Sequence, residues 1–269
     1  MAMEQAAGPP VERKRDPRQG EVASRRVVGL RVDATDYVHA TETILSQAES
    51  GGGVTCIATV HMVMEACDDP GFQRLVNAAD LVTPDGMPLV WMLRALGVGD
   101  AKRVYGPDLT PLVCEAAARR GVPVGFYGGD AATLEALVDR LRARFPGLRI
   151  DFAHSPPFRA LTVEEDAALT EAIIDSGVRV LFVGLGCPKQ ERWMAAHRDA
   201  LDCALVGVGA AFDFLAGRKA QAPAWIQRAG LEWLFRLLHE PRRLWRRYAR
   251  HNPRFAWRAL RQLAAGSGA

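Results

Sequence analysis

Several short stretches of this sequence set acids, cations and amides where chemistry could use them. In "DLVTPDGMPLVW" (80–91), Asp85 stands between Pro84 and Gly86 inside an otherwise apolar run, so it is a candidate general base at a strand end. The alternative is a helix N-cap, with Pro88 in the first helical turn. Both roles hold only in part, because an acid fully engaged as a cap is a poorer base. "RVYGPDL" (103–109) supplies Arg103, Tyr105 and Asp108, and Asp108 reads more simply as the cap of the helix "TPLVCEAAARRG". Asp213 lies between Phe212 and Phe214, a setting that either raises its pKa or buries a hydrogen-bonded acid.

Three glycine-bearing loops follow apolar runs: "GFYGGD" (125–130), "VGLGCPKQE" (183–191) and "GVGAAFDFLAGR" (207–218). Gly128, Gly129, Gly186 and Gly209 would let backbone N–H groups approach phosphate oxygens, with the next helix directing its positive end there. Each loop taken singly is equally a tight turn capped by Asp130 or Thr133. The second loop adds Lys189, Gln190 and Glu191, a cation, an amide and an acid that a phosphate, base or sugar could meet together. None of the loops matches the P-loop or the GxGxxG dinucleotide pattern.

Metal and disulfide chemistry find little support along the chain. The five cysteines show no CxxC spacing and their count is odd, while the six histidines form no HxH or HExxH pair and no DxD occurs. The expectation is free buried thiols, no cofactor and no protein-held metal.

The elements that must position these residues alternate. "GGVTCIATV", Asp80 to Thr83, "VPVGFYGG", "VRVLFVGLG" and "CALVGVGAAFDF" read as strands, and "HMVMEACDD", "AATLEALVDRLRARF" and "QERWMAAHRDA" as helices. Strands that are apolar throughout are covered on both faces, which is the parallel-sheet α/β class. In such a sheet ligands gather at the carboxyl ends of the strands, where every cluster above falls. No apolar run reaches the roughly 18 to 20 residues of a membrane span. Residues 1–26 are basic and lack an apolar signal region, so they read as a disordered lead, with a core over 27–218.

The charge is lopsided. Whole-chain net charge is +3, yet ten arginines between Arg228 and Arg261 face only Glu232 and Glu240, which points to an anionic partner. A helix from Pro241 would set Leu244, Trp245 and Tyr248 on one side and Arg242, Arg243, Arg246, Arg247 and Arg250 on the other. Residues 219–269 are therefore expected to form a basic helical appendage that contacts a phosphate, a membrane surface or both; an ordinary amphipathic helix packed on the core is the alternative. Its aromatics share a stripe with leucines, which disfavours nucleic acid.

Taken in order, "DLVTPDGMPLVW", "RVYGPDL", "GFYGG", "GLGCPKQERWM", "GVGAAFDFLAG" and "APAWIQRAGLEWLFRLLHEPRRLWRRY" resemble the WecG/TagA/CpsF family of glycosyltransferases over roughly residues 27 to 262. The resemblance implies a Rossmann-like α/β core and an inverting, metal-independent enzyme. It implies transfer of N-acetylmannosamine, its uronic acid or a related sugar from a UDP-sugar to a polyprenyl-diphosphate-linked saccharide, in cell-surface polysaccharide or teichoic acid synthesis. Peripheral attachment to the cytoplasmic membrane face follows from it, and a homo-oligomer is left open. By this resemblance Asp85 matches the proposed base, and the "GCPKQE" and "GVGAAFDF" loops match the nucleotide-sugar pocket. Thr59 stands where many members carry Asn, which leaves the sugar preference open. The competing expectation is a non-catalytic nucleotide- or lipid-surface-binding module of the same fold.

Overall fold

In the computed structural model, which describes residues 22–266, the chain opens with an antiparallel hairpin of β1 (Ser24–Val27) and β2 (Leu30–Asp33). Val28 and Gly29 make the turn with positive φ. The strand thus begins inside the stretch expected to be a lead; the rest of that expectation, residues 1–21, lies outside the described residues. The alternating body follows: α1 (Tyr37–Glu49), β3 (Gly53–Ala58), α2 (Val60–Asp68), α3 (Pro70–Asn77), β4 (Leu81–Pro84), α4 (Met87–Ala95) and α5 (Gly106–Arg120). It continues with β5 (Val124–Gly128), α6 (Ala131–Arg144), β6 (Ile150–His154), α7 (Val163–Asp175), β7 (Val180–Gly184), α8 (Lys189–His197), β8 (Ala204–Gly207) and α9 (Ala211–Leu215). Three helices end the described chain: α10 (Ala224–Arg228), α11 (Glu232–His239) and α12 (Pro241–Ala264).

The main sheet has six strands, all parallel, in the order β4-β3-β8-β7-β5-β6. Successive strand residues point to opposite faces, and here both faces are apolar. On β7, Val180 and Phe182 join the core under α1, α5 and α6, while Leu181 and Val183 join the core under α2, α3 and α8. That division explains why the strands read as unbroken apolar runs. β6, at the sheet edge and half exposed, lacks such a run.

The appendage is docked on the body. Phe255 and Ala259 of α12 are buried in the same core as Met62, Val63 and Val27. Gln262 accepts from the Val28 N–H at 2.8 Å and donates to the Arg26 carbonyl at 2.6 Å. No described helix is long and apolar enough to cross a membrane.

Candidate active site

A cavity of about 590 Å³ opens at the carboxyl ends of β3, β4, β7 and β8. Thr59, Asp85, Gly186 and Gly209 line its floor, and Arg236, Arg243, Arg246, Arg247 and Arg250 reach in from the appendage.

Asp85 follows β4 directly, with its N–H bonded to the Ala58 carbonyl at 2.9 Å, so the ladder carries it into the cavity. It is not a cap: Gly86 occupies that position in α4 and no side chain caps the helix. The carboxylate is only 15% exposed and pairs with Arg103, whose Nη2 donates to Oδ1 at 3.0 Å. Arg103 Nε also donates to the Asp85 carbonyl. The same Nη2 donates to Glu232 Oε2 of α11 at 2.7 Å, and the guanidinium lies over the Tyr105 ring at 4.2 Å. Burial pushes the Asp85 carboxyl up to about 6; Arg103 opposes that rise and Glu232 adds to it. A carboxyl so tuned is ionised at neutral pH yet remains a competent proton acceptor.

Asp108 is not the cap of α5 either, because the helix starts at Gly106 and Asp108 sits in its first turn, accepting from the Tyr37 hydroxyl at 3.2 Å. Asp213 is half-buried and paired with Lys219 at 2.7 Å, outside the cavity lining, so the hydrogen-bonded alternative describes it.

The second glycine loop is built differently from its expected form. Gln190 is buried and its Oε1 accepts from the N–H groups of both Gly186 and Gly209, each at 3.1 Å, stapling two loops together. Those N–H groups are therefore engaged within the protein, and the amides of these two glycines do not form a free phosphate cradle. Glu191 lies behind Gln190, fully buried, with Oε1 accepting from Gln190 Nε2 at 2.7 Å and burial pushing its carboxyl up to about 7. Lys189 is exposed and, like Glu191, is absent from the cavity lining. Gly128 and Gly129 also stand outside it. Gly128 has φ 123°, and a Cβ there would come within 2.6 Å of the Gly184 backbone, so strand packing accounts for this glycine. Asp130 is the N-cap of α6, accepting from the Thr133 N–H at 2.9 Å.

Positive charge comes from the appendage instead. Arg236, Arg246 and Arg247 have no carboxylate partner among the described residues, and the buried Nε of Arg236 has no hydrogen-bond acceptor. Burial and the neighbouring Arg243 and Arg236 lower the pKa of Arg247. Such unpaired guanidinium groups suit an incoming phosphate. Arg242 is exposed and outside the cavity lining. The two-sided helix expected from the sequence is modified accordingly: Leu244 is buried, Trp245 is 52% exposed, and four of the five predicted arginines turn toward the cavity.

Thr59 caps α2, accepting from the Met62 N–H at 3.3 Å, and lines the cavity with Asp85. A second, apolar groove of about 1120 Å³ shares Thr59, Asp85 and Arg247 with the cavity and runs between α4 and α12 past Trp91, Trp233 and Tyr248.

Sequence reasoning missed Glu232, the partner of Arg103, and a cluster of His61, Glu65 and His251 at the cavity rim. For the cluster, the i,i+4 spacing of His61 and Glu65 was a visible signal; His251 was not. Burial, with Arg247 and His251 nearby, pushes His61 down to about 4.

The sequence model described as "Glycosyl transferase WecG/TagA/CpsF family" matches residues 25–268. Among curated proteins, the N-acetylglucosaminyldiphosphoundecaprenol N-acetyl-beta-D-mannosaminyltransferase of Bacillus spizizenii is 29% identical over 216 residues, covering 80% of this chain and 81% of that protein.

Proposed function

Because this chain belongs to the WecG/TagA/CpsF family of glycosyltransferases, we propose that it moves a sugar, with inversion, from a UDP-sugar to a saccharide carried on a polyprenyl diphosphate. The carrying observation is the position of Asp85, at the seam between a cavity rimmed with arginines and an apolar groove. One side suits a nucleoside diphosphate and the other a lipid chain, and the reacting hydroxyl would lie between them. The name of the Bacillus relative supports a diphosphate-lipid-linked N-acetylglucosamine acceptor and an N-acetylmannosamine donor, with its uronic acid as the nearest variant.

In the proposed reaction the acceptor hydroxyl gives its proton to Asp85 Oδ2 as its oxygen attacks the anomeric carbon from the face opposite the leaving group. The bond from that carbon to the diphosphate breaks, and UDP departs with the electron pair. Inversion follows from the single in-line displacement. Arg103 holds the Asp85 carboxylate through Oδ1 and leaves its other oxygen for the proton. Charge developing on the departing diphosphate is met by Arg236, Arg243, Arg246 and Arg247, a preorganised cationic wall. With these in place, no divalent cation is needed at the diphosphate.

The acceptor's lipid stays in the bilayer, so the enzyme would work at the cytoplasmic membrane face. Exposed Trp225, Leu238, Trp257 and Leu260 on the appendage, beside its arginines, support peripheral attachment to an anionic surface. The test is transfer from a panel of UDP-sugars to a polyprenyl-diphosphate N-acetylglucosamine acceptor, read as product formation and UDP release. Release of UDP without a disaccharide product, or no turnover with any donor, defeats the reading.

A further inference from the structure

The rim of the cavity holds a group of side chains that the transfer reaction does not use. His61 and Glu65 stand four residues apart on α2 and so share a face, and His251 of α12 lies against them. Glu65 Oε1 is 3.4 Å from His61 Nε2 and 3.7 Å from His251 Nε2, with the two rings edge to face at 5.1 Å. All three residues can present ligand atoms within 4.8 Å of one another. His251 is 5% exposed, and its Nδ1 is buried without a hydrogen-bond partner.

Plain hydrogen bonding explains this arrangement poorly. An imidazole and a carboxylate that bond directly do so at about 2.7 to 3.2 Å, and both separations exceed that. Ligand atoms bound to a common tetrahedral ion at about 2.0 to 2.1 Å stand about 3.4 Å apart; the His61–Glu65 separation matches that at 3.4 Å, the His251–Glu65 separation of 3.7 Å needs a few tenths of an ångström of closure, and all the ligand atoms lie within 4.8 Å of one another. We propose that His61, Glu65 and His251 form a transition-metal site of the zinc class, with its open position toward the cavity that both histidines line. Two imidazole nitrogens and one carboxylate oxygen form a borderline donor set, which favours zinc, cobalt or nickel over the oxygen-seeking magnesium and calcium.

The ion's role is to tie the appendage to the body, since its ligands come from α2 and α12 and from opposite ends of the chain. Local charge permits it: Asp68 pairs with both Arg250 and Arg254, and of the other arginines lining the cavity Arg247 is the one that acts on His61. An anion in the cavity would strengthen the site, because it offsets Arg247 and has an open coordination position to fill. The ion takes no step in sugar transfer.

The test uses full-length protein freed of metal by chelator and dialysis, titrated with Co²⁺ alone and followed by its visible absorption. The expected result is the ligand-field spectrum of a four-coordinate cobalt site, saturating at one equivalent and erased by Zn²⁺. Glu65→Gln and His251→Ala, each verified as folded by circular dichroism, should bind at least tenfold more weakly, whereas His154→Ala, on an edge strand, should bind as the parent does. If His251→Ala does not fold, His61→Ala takes its place. A six-coordinate aquo spectrum in the parent protein, or equal binding by parent and Glu65→Gln, overturns the site. Transfer activity is not the readout, so this result and the fate of the glycosyltransferase reading are independent.

Discussion

Glu232 offers a quantitative handle on the proposed base, which it never touches. Its Oε2 and Asp85 Oδ1 accept from the same Arg103 nitrogen at 2.7 and 3.0 Å, so the two carboxylate oxygens lie within about 6 Å of each other. Two like charges at about 6 Å repel by roughly 1 to 3 kcal/mol across effective dielectric constants of about 20 to 40. One pH unit corresponds to about 1.4 kcal/mol, so Glu232→Gln should lower the Asp85 pKa by about one to two units. Arg103, no longer shared with a second carboxylate, pushes the same way. In the proposed mechanism ionised Asp85 is the active form, and its carboxyl is pushed up to about 6, so the acid limb of kcat/KM should fall near that pH in the parent. In Glu232→Gln the limb should move to about pH 4 to 5, with activity retained below pH 6. The plateau rate should drop modestly, because a weaker base accepts the proton less readily. The assay is the pH profile of UDP release under kcat/KM conditions, with thermal unfolding run alongside at each pH. An acid limb that stays in place, or moves to higher pH, refutes both the coupling through Arg103 and Asp85 as the titrating group.

The remaining expectations concern the same site and its anchoring. Asp85→Asn should keep its fold and UDP affinity but lose about a hundredfold or more in turnover, and normal turnover would exclude Asp85 as the base. Burial pushes the Glu191 carboxyl up to about 7 from an ordinary 4.5, so the fold holds its proton more tightly and stability should fall as pH rises between those values. Glu191→Gln should therefore raise stability at pH 8, by up to about 3 kcal/mol, and leave it unchanged at pH 4; denaturant unfolding at the two pH values decides. Adding or withholding Mg²⁺ should not alter the transfer rate, and a strict Mg²⁺ requirement would show that the arginine wall is insufficient. The double change Leu238→Glu and Trp257→Glu alters two exposed apolar side chains and should sharply weaken sedimentation with anionic liposomes at low salt. Unchanged sedimentation would remove the appendage's apolar surface from the membrane reading.

Much of the fold was legible because burial on both faces leaves a simple trace. Residues 53–58, 81–84, 124–128, 180–184 and 204–207 carry no charge and are apolar but for Thr55 and Thr83, and each became a strand of the parallel sheet. Edges leave no such trace: β6 is half exposed and "SRRV" of β1 looks like more of the basic lead. At the site, Asp85 was visible because a carboxylate in an apolar run is costly and demands a reason. Its setting was not visible, since Arg103 is 18 residues from Asp85 and 129 from Glu232. Of the residues read from the glycine loops, Gly186, Gln190 and Gly209 do line the cavity, but how their amides are engaged was hidden for a related cause. Pattern alone cannot tell whether a loop's N–H groups are free, and here Gln190 occupies two of them. Lys189, read as a phosphate ligand, projects outward from the first turn of α8.

The division of labour between body and appendage explains why so much arginine is concentrated after residue 228. The sheet provides a carboxylate and a rigid floor, but the cations lining the cavity all arrive from α11 and α12. The helix that carries Arg243, Arg246, Arg247 and Arg250 also carries Phe255 and Ala259, which are buried in the body's own core. Cationic wall and hydrophobic anchor therefore move together, and displacing α12 would strip the cavity of charge while exposing core side chains to water. The Arg103–Glu232 contact adds a third link, because it connects α11 to the ion pair that tempers the rise burial gives to the Asp85 pKa. A truncation after 218 would remove cations, base tuning and core packing at once, so its failure to work would distinguish none of them. Single substitutions separate them: Arg247→Ala reports on the leaving group, Glu232→Gln on the base, and Phe255→Ala on docking. If the appendage served only to hold the enzyme near its lipid, the first two would leave transfer to a detergent-solubilised acceptor at the parent rate. The proposed mechanism expects instead that both alter transfer with no membrane present.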